Sequence, residues 1–193
     1  MPFIRETILT TRSPEGRVHV APLGIIQEGE NWIVAPFRPS TTLDNIAATG
    51  VAIANYTDDA LVFAGCLTGR RDWPLAEVEG CHVPRLAVAL AHDALEVAEV
   101  MEDPVRPRFR CRVAASGEHG RFTGMNRAKA AVLEAAILVS RLSMLPPEKI
   151  EDEIAYLRLA VEKTAGPDEH KAWGWLLEKV IEHLARIEAD RAG

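Results

Sequence analysis

One arginine and three hydroxyls fall within five consecutive residues in Arg38-Pro39-Ser40-Thr41-Thr42. A guanidinium is a planar, permanent cation that fits the oxygens of a phosphate. The residues that follow, Leu43 to Thr49, read as a short helix that Gly50 closes as a C′ residue. A hydroxyl just before a helix is the usual N-cap. At the same position the first amides have no helix partner, and the helix dipole presents its positive end. Cation, hydroxyls and free N–H groups together make a seat for an anion, a phosphate above all. An ordinary strand-to-helix turn with a solvated arginine has the same local chemistry.

The flanking elements decide how such a seat would be held. Trp32-Ile33-Val34-Ala35 opens an apolar run, Trp32–Phe37, that reads as a strand, and Val51–Tyr56 reads as another. Residues 4–11 and 17–26 read as two earlier strands joined by the turn Ser13-Pro14-Glu15-Gly16. Pro22 has no N–H for a ladder, so it marks an edge or a bulge. Gly24 would let a flat ligand approach the backbone. Several short strands joined by tight turns predict a barrel or sandwich.

The ordered set Arg38, Ser40, Thr42-x-x-Asn45-Ile46 and Asn55 resembles the FMN-binding split-barrel proteins, the relatives of flavin reductase and pyridoxamine-phosphate oxidase. Val20-Ala21-Pro22-Leu23-Gly24, Asn55-Tyr56-Thr57-Asp58-Asp59 and Asn126-Arg127-Ala128-Lys129 narrow the resemblance to the family called domain of unknown function 447. It spans about Arg5 to Met144. It implies an α+β, mainly β fold, a split barrel with a C-terminal helical region. It also implies FMN at a homodimer interface. Arg38, Ser40, Thr41, Thr42 and Asn45 would then serve the phosphate. Ala21, Pro22, Leu23, Gly24 and Asn55 would serve the isoalloxazine ring. Such a ring needs flat contact and donors where charge collects on reduction. The implied chemistry is hydride or electron transfer through flavin N5. A carrier or sensor without turnover, and a dimer that has lost the cofactor, are the alternatives. The substrate is not indicated, and no side chain is an obvious acid or base.

Further along, Leu61 to Leu67 is apolar and reads as a short helix or strand. Gly69–Pro84 reads as an insertion loop. Ala94–Met101 and Arg108–Val113 read as strands. In the second, period two puts Arg108, Arg110 and Arg112 on one face, either toward an anion or paired with Glu96 and Glu99 opposite. From Asn126 the period turns helical, with helices over Arg127–Leu145, Glu148–Thr164 and Asp168–Ala189. Residues 1–125 thus form the expected barrel domain. Residues 126–193 form a helical region packed on the barrel or on a partner subunit. Arg127, Glu134 and Arg141 repeat every seven residues on a nearly all-apolar helix, each step about 10.5 Å along the axis. They are candidates for a polar stripe inside a dimer, or for a wet helix edge.

Composition excludes several classes. A net charge of −6 with no basic run argues against nucleic acid or an anionic membrane. No apolar stretch is long enough to span a bilayer, and no leader pattern opens the chain, so the cytoplasm is expected. Cys66, Cys81 and Cys111 form no C-x-x-C pair, and the six histidines show no ligand spacing, so no metal site is expected.

Overall fold

The computed structural model describes residues 2–192. Two compact units emerge, Met1–Asp58 with Arg71–Phe122, and Asp59–Arg70 with Thr123–Gly193.

The first unit is built on β1 (Ile4–Arg12), β2 (Val18–Glu28), β3 (Asn31–Val34), β4 (Val51–Tyr56), β7 (Ala91–Met101) and β8 (Arg108–Glu118). These close an antiparallel barrel in the order β1-β2-β3-β8-β7-β4. Period two sorts the side chains. Leu9, Ala52, Ala54 and Leu95 turn inward with Ile25, Trp32, Val34, Phe109 and Cys111. Burial pushes the Cys111 thiol up to about 12. Helix α1 (Thr41–Thr49) adds Leu43 and Ile46 to the same core. Gly50 closes it at φ 70°, in the left-handed region the C′ position needs.

The residues between those inward positions face out, and a second layer covers them. Strands β5 (Leu75–Val78) and β6 (Cys81–Leu86) form a hairpin whose Val78 and Val83 pack on Ile53 and Ala94. The loop expected over Gly69–Pro84 is therefore largely this hairpin, with Gly80 at its turn at φ 72°. Its strands are short, and Pro84 and the charges hide their alternation. Asn55 locks hairpin to barrel. Its Nδ2 donates to Ile8 O (2.9 Å) and Thr10 Oγ1 (2.6 Å), and its Oδ1 accepts from Leu86 N (2.7 Å).

On β8, Arg110 and Arg112 pair across the ladder. Arg110 meets Glu99 at 2.9 Å, and Arg112 meets Glu96. These are half-exposed pairs of small worth, and they are the solvated-face alternative rather than an anion site.

The second unit holds α2 (Ala60–Leu67), α3 (Arg127–Val139), α4 (Pro147–Thr164) and α5 (Pro167–Ala192). Asp59 caps α2 through Leu61 N at 2.9 Å. Asn126 caps α3 through the amides of Ala128 and Lys129, and its Nδ2 donates to Thr164 O at the end of α4. The long helix expected to reach Leu145 stops at Val139, and Leu142–Met144 make a separate 3-10 turn.

Candidate functional site

The loop between β3 and α1 has the form of an anion seat. Ser40 is the N-cap, its Oγ accepting from Leu43 N at 3.3 Å. The Ser40 hydroxyl proton stays available to a ligand. Asp44 N donates to Ser40 O, which leaves the amides of Thr41 and Thr42 without a helix partner. Arg38 is half-exposed, and its one ion pair among the described residues is a loose 3.7 Å contact with Glu102. Thr41 is exposed.

Thr42 and Asn45 are placed otherwise. Both are buried, and Asn45 Nδ2 donates to Thr11 Oγ1 on β1 at 3.0 Å. A Thr-x-x-Asn spacing puts the two residues on one helix face. That face turns inward, so it fixes the helix to the barrel. Asn55 is fully buried with donors and acceptor taken, so its role is to join β1, β4 and β6. It offers no polar atom to a ring.

Ala21, Pro22, Leu23 and Gly24 lie half-buried on β2. β1 pairs with β2 from Val18 to Ile26, but β3 joins only from Ile26. Over Val18–Ile25 the second edge of β2 therefore has no strand partner among the described residues. Pro22 fits such an edge, and the unpaired N–H groups around it can donate to a ligand. Gly24 differs from expectation. A Cβ there would meet Ile4 Cγ2 at 2.8 Å and Glu6 Oε1 at 3.1 Å, so neighbouring side chains already occupy that space.

Arg127, Glu134 and Arg141 are all exposed on this chain. Arg141 lies beyond the end of α3, so the seven-residue register breaks before its third member.

Two features escaped the sequence. Arg5 lies over Trp32, Tyr56 and Phe3, its Cζ 5.2, 5.6 and 5.7 Å from the ring centroids. Tyr56 Oη donates to Asp93 at 2.6 Å, and burial and that carboxylate raise its pKa. The second is a histidine pair. His92 Nδ1 and His119 Nε2 are 2.8 Å apart in stacked rings. Gly117 makes room for them, since a Cβ there would meet His92 Cε1 at 2.7 Å. One ring must donate and the other accept, so the pair holds one shared proton. Burial, the facing ring and Arg85 lower the His92 pKa against an opposing pull from Asp93; burial and Arg85 lower that of His119. A depressed histidine is fully stabilising above its unfolded value of about 6.5, and that stability is lost as pH falls through the folded value. Denaturation at a series of pH values should show stability falling on acidification. The double substitution His92→Gln, His119→Gln should flatten the slope. His19, also lowered by burial, keeps some of it.

A family model described as the protein of unknown function DUF447, N-terminal domain, matches residues 5–120. A second, described as protein of unknown function DUF447, matches residues 126–178. Among solved structures, the chain resembles the FMN-bound protein MM1853 from Methanosarcina mazei, with TM-score 0.80 and 24% identity. That alignment covers 91% of this chain and 94% of the other. Flavoredoxin from Methanosarcina acetivorans aligns with TM-score 0.52 and 15% identity, over 60% of this chain and 69% of that one. The 2-nitrobenzoate 2-nitroreductase from Pseudomonas fluorescens aligns with TM-score 0.51 and 18% identity, over 61% and 64%. No curated protein matches the chain. The fold is the split barrel of the FMN-binding type. No helix among the described residues is long and apolar enough to cross a membrane.

Proposed function

This chain belongs to the DUF447 family, and on that premise we propose that it is an FMN-binding flavoprotein. The observation that carries the reading is the capped N-terminus of α1 beside the half-exposed Arg38. Hydroxyl, free amides and guanidinium are the donor set a phosphate dianion requires. The FMN bound to the Methanosarcina mazei protein supports the choice of ligand.

In this reading Arg38, Ser40, Thr41 and the amides of Thr41 and Thr42 hold the phosphate. On the open edge of β2 the N–H of Gly24, in step with Pro22, gives a backbone donor to the ring, and Ala21, Pro22 and Leu23 give flat contact. Thr42 and Asn45 fix the loop, and Asn55 the strand behind it. When bound, FMN supplies hydride or electron transfer through its N5. The chain then contributes position and electrostatics, with a small molecule as substrate and the cytoplasm as its place. Wild-type protein should purify yellow, release FMN on heating and be bleached by a reduced donor such as NADH or NADPH. A colourless protein that takes up no FMN would refute binding. A flavin that no donor reduces would leave a carrier or sensor.

A second copy of the chain is the expected partner. Phe37 and Val105 flank Arg38 and are 57% and 58% exposed, an unusual state for two large apolar residues beside a charged loop. Twofold pairing is the commonest way to cover such a patch. Light scattering should give about twice the 21.2 kDa chain mass. Phe37→Asp should shift the protein toward monomer.

A further inference from the structure

The turn between β7 and β8, residues 102–107, grips the anion loop at four points. Arg38 N donates to Val105 O at 2.9 Å. Arg106 Nε donates to Ala35 O at 2.6 Å. The Arg106 guanidinium covers the Phe37 ring, its Cζ 4.7 Å from the centroid. Glu102 lies 3.7 Å from Arg38. The turn is itself braced. Asp103 Oδ1 accepts from the amides of Val105 and Arg106 at 2.8 and 2.6 Å, which holds its carboxyl below the usual range. Pro104 and Pro107 limit the backbone on either side of the grip. Residues 35–40 have no ladder of their own, so these contacts decide where Arg38 and the start of α1 point.

We propose that Arg106 and Asp103 position this loop so that Arg38 and the first α1 amides converge on one phosphate. They thereby set a preference for a phosphorylated flavin over its dephosphorylated form. The inference rests on the FMN-binding reading and names residues that reading does not use. Arg106 acts through Ala35 and Phe37. Lysine keeps its charge but has neither the Nε donor nor the flat face that make those two contacts. Asp103 separates position from charge. It is an anion near an anion seat, so on electrostatics alone its removal would tighten phosphate binding. If it braces the turn, its removal weakens binding.

The test uses the full chain, stripped of flavin, as wild type, Arg106→Lys and Asp103→Ala. FMN and riboflavin are titrated separately into each. The expected result is FMN affinity about tenfold weaker in both variants, or 1.4 kcal/mol by the affinity relation, with riboflavin affinity unchanged. Wild-type FMN affinity in Arg106→Lys would overturn the proposal. So would equal or tighter FMN binding by Asp103→Ala. Arg106 is exposed, and its conservative variant decides the matter alone if Asp103→Ala does not fold. If the wild type binds FMN and the variants match it, only the positioning role fails. If the wild type binds no FMN, the flavoprotein reading fails and takes this role with it.

Discussion

Replacing Asn55 with leucine should destabilise the flavin-free protein by about 3 kcal/mol, the largest effect expected of any single change outside the aliphatic core. The side chain is fully buried and serves three backbone or hydroxyl partners at 2.6–2.9 Å. Leucine has similar volume, so little cavity forms. The cost comes from what is stranded. Leu86 N–H would remain buried without its acceptor, worth about 1–3 kcal/mol, and Ile8 O and Thr10 Oγ1 would each lose a donor. Thr10→Val is the internal control. It removes one acceptor and keeps the shape, so it should cost about 1 kcal/mol. Urea denaturation with unchanged slope checks both. A loss under about 1 kcal/mol for Asn55→Leu would mean that water can replace the carboxamide, and that the hairpin is not locked through it.

The second large effect is on the ligand. Arg38→Ala with Thr41→Ala should weaken FMN binding by at least about tenfold, since a charge-assisted bond is worth about 1.5–3 kcal/mol. Both side chains are exposed, so the fold should survive. Thr42 would be the poorer partner for this test, because it is buried. Its loss would mix a packing change into the affinity. Retained flavin content in the purified double variant would remove the phosphate from this loop.

The strand-to-helix turn was legible in the sequence because its signals are local. A hydroxyl before an apolar helix and a glycine after it are capping chemistry; Gly50 stands where expected, and the helix begins two residues earlier than expected, at Thr41, with Ser40 as its cap. Strand β4, six residues of β-branched, small and aromatic character, was legible with its bounds. The β5–β6 hairpin was not, since its cover over Ile53 and Ala94 is a tertiary fact. Helix α2 has eight residues, six of them buried, so no period distinguished helix from strand. Asn55 shows a different failure. A polar residue ending a strand suggests a ligand, but here the partners lie 45, 47 and 31 residues away in sequence. Arg106 was invisible for the same reason, donating to a carbonyl 71 residues distant. Local chemistry can mark a loop as an anion seat, whereas the residues that aim it come from long-range contacts.

The most direct measurement is a titration of flavin-free wild-type protein with FMN and, separately, with riboflavin, followed by quenching of flavin fluorescence. A phosphate seat at Arg38 and α1 requires saturable FMN binding in the micromolar range or tighter. It also requires riboflavin to bind at least about tenfold more weakly, the part of the affinity that the phosphate contributes. Equal affinity for the two flavins, or no saturable binding of either, would contradict it.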